Sequence, residues 1–103
     1  MDEQIKKQWV EALRSGRYKQ GREYLRTELS DGSYNYCCLG VLCDIREVGL
    51  WNSLYPSYDD GELPNYTILD KVKLDFYTAQ ELADMNDKGS SFGEISDWIE
   101  TNL

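Results

Sequence analysis

The sequence predicts an α+β fold, a single domain over residues 1–103 with about four helices and one small antiparallel β-hairpin or sheet. Apolar residues recur at helical spacing in four segments, whereas residues 17–36 alternate polar and apolar side chains around a turn sequence. The length of 103 residues suits one domain with one modest core. An aromatic content of 13% is higher than disordered chains carry, so we expect a folded protein.

The first helix is predicted over residues 4–14. Ile5, Trp9, Ala12 and Leu13 follow one another at helical spacing, which places them on one apolar stripe. The glycine of the following Ser15-Gly16 pair readily adopts the left-handed conformation that ends a helix.

Residues 17–36 are predicted to be extended and to form a β-hairpin. Arg22–Leu29 and Ser33–Tyr36 flank the turn sequence Ser30-Asp31-Gly32. Polar and apolar side chains alternate along the first of these strands, which is the pattern of a strand with one buried face.

The segment Cys37–Val48 is predicted to be a helix that is closed by Gly49 and buries Cys38 and Leu42. Gly40 lies within this helix and costs it about 1 kcal/mol relative to alanine. A glycine at that position indicates either close packing of another element against the backbone or a first helical turn near a ligand.

All three cysteines, Cys37, Cys38 and Cys43, lie in this apolar segment. Their spacing fits neither arm of a C-x-x-C zinc site, and the chain has no histidine. Cys–His and Ser–His–Asp catalytic sites are therefore excluded, and the thiols are predicted to be buried core residues. No metal site, cofactor or catalytic residue is predicted.

The second half of the chain is predicted to begin with a long irregular loop over residues 50–73, including a short strand at Thr67–Leu69. Two helices follow, over residues 76–87 and 92–102. Asp75 is the predicted N-cap of the first, and Ser91-Phe92-Gly93-Glu94 forms a capping box that opens the second.

The net charge of −8 is unevenly distributed along the chain. Residues 1–26 hold seven basic and four acidic side chains, a net charge of +3, while residues 27–103 hold four basic and fifteen acidic ones, a net charge of −11. Phosphate repels such an acidic body. The two C-terminal helices are spaced like a helix-turn-helix, but residues 92–103 carry no cation, so we expect no direct DNA binding.

The chain has no run of about 18 apolar residues, and its N-terminal Met1-Asp2-Glu3-Gln4 is acidic. We therefore expect no membrane contact, no secretion signal and a cytoplasmic location. Three cysteines, two of them adjacent, suit free thiols in a reducing compartment. The sequence leaves open whether the chain forms a homo-oligomer.

The segment Arg14–Arg26, which we call the basic loop, has the composition of a phosphate-binding site. Arginine binds phosphate bidentately, glycine lets backbone N–H groups approach it, and tyrosine stacks on a base. The spacing matches neither the P-loop nor the dinucleotide fingerprint, and a solvated loop that balances the acidic body is the alternative. The predicted ligand-binding residues, with two tyrosines of the hairpin, are Arg14, Arg17, Tyr18, Lys19, Gln20, Arg22, Arg26, Tyr34 and Tyr36.

The acidic, tyrosine-bearing part of the 50–73 loop is an alternative candidate for the binding surface. It suits the basic surface of a partner protein, because tyrosine is enriched at interfaces and the carboxylates supply charge complementarity. The residues predicted for this alternative are Tyr55, Tyr58, Asp59, Asp60 and Glu62. A small carboxylate-dependent hydrolase is a third interpretation, although nothing singles out a pair of carboxylates.

Several motifs, in their order along the chain, resemble a family of small proteins found in tailed-phage genomes. The similarity extends over nearly the whole chain, and the block Tyr-Cys-Cys-Leu-Gly-Val-Leu-Cys-Asp is its most specific part. It implies a phage context and carries over no activity or catalytic residue. The motifs are Trp9–Gly16, Tyr18–Gly21, Tyr36–Asp44, Leu82-Ala83, Asn86-Asp87, Gly89, Ser91-Phe92, Glu94-Ile95 and Ile99-Glu100.

By analogy with small accessory phage proteins, the resemblance implies a non-enzymatic protein that antagonises host defence in the cytoplasm of the infected host. The predicted mechanism is sequestration of a phosphorylated nucleotide signal at the basic loop. The alternative is an acidic inhibitor that imitates nucleic acid and blocks a host defence protein.

Overall fold

The computed structural model describes residues 1–47, 64 and 66–103. The predicted α+β class is confirmed, with five helices rather than about four and a three-stranded sheet in this part of the chain. The elements in chain order are α1 (Glu3–Arg14), β1 (Lys19–Gln20), β2 (Arg26–Glu28), β3 (Tyr34–Tyr36), α2 (Cys38–Arg46), α3 (Tyr66–Val72), α4 (Phe76–Asp87) and α5 (Phe92–Asn102).

Helix α1 forms where the apolar stripe predicts it. The Asp2 carboxylate caps its N-terminus by accepting hydrogen bonds from the backbone N–H groups of Gln4 and Ile5. The helix ends at Arg14, and Gly16 follows in the left-handed conformation with φ +78°. The buried side of α1 packs against α5 and α2, so the first helix lies at the centre of the core.

The sheet has the strand order β1-β3-β2, with β3 in the middle. Strands β2 and β3 pair antiparallel, which confirms the predicted hairpin, and β1 adds a parallel edge that the sequence analysis did not predict. The strand predicted to start at Arg22 begins only at Arg26. Glu23 adopts a left-handed conformation (φ 73°) and donates its backbone N–H to Asp87 instead of to a neighbouring strand.

Helix α2 starts one residue after the predicted position, because Cys37 is its N-cap and accepts a hydrogen bond from the Gly40 N–H on its sulfur. The helix ends at Arg46, where the left-handed Glu47 caps it; the predicted end at Val48 and Gly49 lies outside the described residues. A Cβ on Gly40 would collide with the backbone carbonyl of Leu25. Close packing on the backbone, rather than a ligand, therefore explains this glycine.

The predicted strand at Thr67–Leu69 is wrong, since α3 covers these residues. Ile68, Leu69 and Val72 are buried together, and their spacing is that of one helical face. Helices α4 and α5 have the predicted bounds, and both predicted caps, Asp75 and the Ser91–Glu94 capping box, are confirmed.

The cysteine segment lies in the core of the protein, as predicted. Cys37, Cys38 and Cys43 are free thiols that are buried among apolar side chains. The indole Nε1 of Trp9, itself buried, donates to the Cys38 carbonyl over 2.9 Å and so joins α1 to α2. None of the described helices is long and apolar enough to cross a membrane.

Candidate ligand-binding site

Arg14, the first of the predicted ligand-binding residues, is used for packing two helices together. Its Nη2 lies 2.7 Å from Asp97 Oδ1, its Nη1 lies 3.1 Å from Glu100 Oε2, and its Nε donates to Ser96 Oγ over 2.9 Å. These hydrogen bonds, to Glu100 first and Asp97 second, raise the pKa of the guanidinium. Arg14 therefore joins α1 to α5, and the structure does not place it with the other candidates.

Gln20 also has a structural partner. Its Nε2 donates to Asn86 Oδ1 over 2.9 Å and to the Ser90 carbonyl over 2.8 Å. Lys19 is exposed and pairs with Asn35, so alternation along β1 puts it on the opposite face of the sheet from Gln20. Arg22 is exposed and extends toward the turn between α4 and α5.

The structure brings the remaining five predicted residues together in a row that we call the aromatic strip: Arg17, Tyr18, Tyr36, Arg26 and Tyr34. The rings of Tyr18 and Tyr36 meet edge to face with centroids 5.0 Å apart. The Arg17 Cζ lies 5.9 Å from the Tyr18 ring centroid, and the Arg26 Cζ lies 3.9 Å from that of Tyr34. The strip therefore combines one aromatic pair with two arginine–tyrosine contacts, an arrangement that is favourable in itself.

Tyr18 is held by a short hydrogen bond at the α2 end of the strip. Its hydroxyl donates to Asp44 Oδ2 over 2.6 Å. Partial burial, together with this bond, raises the pKa of Tyr18 well above its ordinary value of 10.0. Burial also raises the pKa of the neighbouring Tyr36. Both phenols therefore stay protonated near neutral pH and serve as fixed, neutral surfaces.

A cleft of about 400 Å³ opens beside Tyr18, between α1 and α2. Helix α1 contributes Gln8 and Glu11, helix α2 contributes Ile45 and Arg46, and the connection after α1 contributes Arg17 and Tyr18. The cleft is continuous with the aromatic strip because Arg17 and Tyr18 belong to both.

Arg46 is the residue of this cleft that the sequence analysis missed. Its Nη1 donates to Gln8 Oε1 over 2.6 Å, whereas its Nε is buried and has no hydrogen-bond partner among the described residues. A buried donor without a partner carries an uncompensated desolvation cost. In the sequence, Arg46 is one more cation in the last turn of a helix, a position that the helix dipole favours anyway. Only the packing of α2 against α1 distinguishes Arg46 from the other cations of the sequence.

The arrangement suits an oxyanion. Among the described residues, the guanidinium groups of Arg17 and Arg46 line the cleft with the carboxylate of Glu11, and the Asp44 carboxylate lies next to it on the Tyr18 hydroxyl. An arginine guanidinium forms a planar fork of N–H donors that matches a carboxylate or phosphate bidentately. An anion in the cleft meets the part of Arg46 that lines it, while the buried Nε stays without a hydrogen-bond partner among the described residues.

The described residues contain no group of three or more Cys, Asp or Glu side chains placed to hold a metal ion. The alternative partner-binding residues, Tyr55, Tyr58, Asp59, Asp60 and Glu62, lie outside the described residues.

A family model described as a domain of unknown function (DUF8296) matches residues 1–50. This half of the chain holds α1, the sheet and α2, and therefore every residue of the cleft and of the aromatic strip. No curated protein matches the chain. No solved structure matches it either.

Proposed function

We propose that the protein is a non-enzymatic binding module that holds a phosphorylated nucleotide in the cleft between α1 and α2. In the phage context implied by the sequence resemblance, its role is to sequester a nucleotide signal of host defence. The observation that carries the proposal is the Arg46 guanidinium, which lines the cleft together with Arg17 and whose buried Nε has no hydrogen-bond partner within residues 1–47, 64 and 66–103.

The aromatic strip supports a nucleotide rather than a bare anion. Tyr18 lines the cleft and touches Tyr36, so a ligand whose phosphate contacts Arg46 has a ring surface directly beside it. Stacking of a base on an aromatic side chain contributes about 1–3 kcal/mol and tolerates any base. A phosphate at the arginines and a base on the tyrosines together give the recognition that a nucleotide needs.

Binding without turnover is favoured by the state of the nearby nucleophiles. The Tyr18 hydroxyl is hydrogen-bonded to Asp44, and its raised pKa keeps the phenolate scarce. Burial raises the pKa of the Cys37 thiol to about 11 and that of Cys38 well above its ordinary value, and both thiols are shielded from solvent. These groups attack in their deprotonated forms, and the raised pKa values make those forms scarcer near neutral pH.

Isothermal titration calorimetry with a panel of nucleoside mono-, di- and triphosphates and dinucleotides tests the proposal. We expect binding by the wild type and at least a tenfold loss of affinity in Arg46→Gln and Arg17→Ala, since a charged hydrogen bond contributes about 1.5–3 kcal/mol. Arg22→Ala is the matched control, because this exposed arginine lies outside the cleft and should retain wild-type affinity. If no nucleotide of the panel produced a measurable heat of binding, the proposal would be refuted.

A thermal melt of each variant separates a lost contact from lost folding. Arg46→Gln should melt within a few degrees of the wild type, because it loses one part-buried hydrogen bond, from Nη1 to Gln8, together with a buried Nε that has no hydrogen-bond partner among the described residues. Equal loss of affinity in Arg22→Ala and Arg46→Gln would show that general charge, not the cleft, attracts the nucleotide.

A further inference from the structure

The aromatic strip has a cation at each end. Arg17, together with Arg46, lies at the cleft, and Arg26 lies at the other end against Tyr34. Arg26 lies directly opposite Tyr36 in the β2–β3 register and its Cζ lies 3.9 Å from the Tyr34 ring centroid, so its guanidinium lies beside both tyrosines. A nucleotide with one phosphate in the cleft uses only the first of these cationic ends.

Two aromatic side chains lie between the two cationic ends. Tyr18 and Tyr36 lie between them with ring centroids 5.0 Å apart. Tyr34 and Tyr36 are two residues apart on β3 and project from the same face, which separates them by roughly 7 Å. A ligand that contacts both ends must therefore place a flat, stackable unit between two anionic groups.

A dinucleotide has this form, since its bases and sugars separate its two phosphates. We infer that the preferred ligand carries two phosphates on either side of a nucleoside, the first bound by Arg17 and Arg46 and the second by Arg26. The inference rests on the proposed function, because it assumes that the cleft holds the first phosphate. Arginine planes also stack on bases, so Arg26 on Tyr34 extends the surface on which the ligand lies.

A carboxylate limits the strip beyond Arg26. Glu28 pairs with Tyr34 across the sheet, and the Tyr34 hydroxyl lies 3.4 Å from Glu28 Oε1. This negative charge disfavours a third phosphate at that end. With the net charge of −8, it also disfavours a long polyanion such as single-stranded RNA. A short ligand with two phosphates therefore fits better than a nucleic-acid strand.

Calorimetry with three defined probes tests the inference: adenosine 5′-monophosphate, the 5′-phosphorylated dinucleotide pApA, and a ten-nucleotide oligoadenylate. We expect the wild type to bind pApA at least tenfold more tightly than the monophosphate. Arg26→Gln should remove most of this difference, because it should lower the affinity for pApA far more than the affinity for the monophosphate. Arg46→Gln should weaken the binding of both.

A gain-of-affinity variant makes the test independent of lost folding. Glu28→Gln removes the carboxylate beside the second phosphate, so it should raise the affinity for pApA about threefold or more and leave the monophosphate unchanged. Lys19→Gln is its control, since Lys19 lies on the opposite face of the sheet.

The outcomes separate this inference from the proposal beneath it. Equal affinity for pApA and the monophosphate, with no effect of Arg26→Gln, would overturn the inference and leave the cleft proposal standing. Absence of binding by every probe would refute both. Tighter binding of the oligoadenylate than of pApA would contradict the inference that the ligand is short and would indicate that the protein binds a nucleic-acid strand.

Discussion

The hydroxyl of Tyr18 and the carboxylate of Asp44 are joined by a 2.6 Å hydrogen bond that fixes the end of the aromatic strip to α2. Tyr18 lies in the connection between α1 and β1, and Asp44 lies in the last turn of α2. The bond therefore links the basic loop to the cysteine-bearing helix, and it holds the ring that forms one wall of the cleft.

This bond predicts a loss of stability at alkaline pH. The pKa of Tyr18 is raised in the folded protein, so the unfolded chain loses this proton first, above pH 10. Its contribution to stability is complete below pH 10 and is lost as the pH rises further. Tyr18→Phe removes the titrating group, so its free energy of unfolding, measured by urea titration, should fall less steeply between pH 9 and pH 11.

Tyr77→Phe is the matched control for this measurement, because Tyr77 is 81% exposed. Its alkaline profile should follow that of the wild type. Near pH 7, Tyr18→Phe should destabilise the fold by about 1 kcal/mol through the lost hydrogen bond. Identical slopes in Tyr18→Phe and the wild type would contradict the assignment.

Gly40→Ala is expected to destabilise the protein although alanine favours helices. The added Cβ would collide with the carbonyl of Leu25, which belongs to the backbone and yields only if the segment before β2 shifts. Overpacking of this kind costs about 3 kcal/mol, against a gain of about 1 kcal/mol in helix propensity. Chemical denaturation of the variant and of the wild type measures the difference between their free energies of unfolding.

Gly93→Ala provides the opposite case in another helix. A Cβ on Gly93 would meet only the Ser91 Oγ, at an ordinary distance of 3.7 Å. The substitution should leave stability unchanged or raise it by up to about 1 kcal/mol. Similar effects of the two substitutions would show that the Leu25 contact is unimportant.

Asn86→Ala is expected to cost about 3 kcal/mol or more. Asn86 is fully buried; its Oδ1 accepts from Gln20 Nε2 and the Cys38 N–H, and its Nδ2 donates to the Gly21 carbonyl over 2.8 Å. Alanine would leave buried backbone groups of Cys38 and Gly21 without a partner. Asn102→Ala, which loses one exposed bond to the Trp98 carbonyl, should change the midpoint of urea unfolding little.

The three cysteines should resist thiol reagents as long as the protein is folded. Each is buried, and burial raises the pKa of Cys37 to about 11, so little thiolate forms near pH 8. Labelling with a chromogenic disulfide should therefore follow unfolding in urea and then reach three thiols. Thr101→Cys, on the exposed side of α5, should add one thiol that reacts at once. Rapid labelling of the folded wild type would contradict the burial.

The sequence predicted best the elements whose signals are local. Helix α5 was placed by a capping box and an apolar stripe, both of which lie within its own residues. The edge strand β1 was missed because its two residues pair with β3 in parallel, and nothing near Lys19 indicates that contact. Asn86 was missed for the same reason, since its partners lie in β1 and α2, far away along the chain.

The residues of the candidate site likewise include some that local sequence predicts and others that only the tertiary structure reveals. Tyr34 and Tyr36 are predicted as site residues because they lie in the hairpin that follows the basic loop, and alternation along β3 puts both on one face of the sheet. Arg14 was grouped with them by proximity in sequence, yet its hydrogen bonds go to α5. Arg46 became visible only when α2 was packed against α1 and brought it to Gln8. Composition finds candidate cations, but only tertiary contacts decide which of them are paired.

The packing of α1 against α5 has a consequence for the order of events on the ribosome. Helix α1 is synthesised before α5, and the part of its apolar side that packs against α5 stays uncovered until that helix, some ninety residues later in the chain, has emerged. At roughly 5–20 residues per second, the nascent chain spends several seconds with that surface uncovered. The region matched by the family model thus needs α5 to close its core, and that packing forms only after α5 has been synthesised.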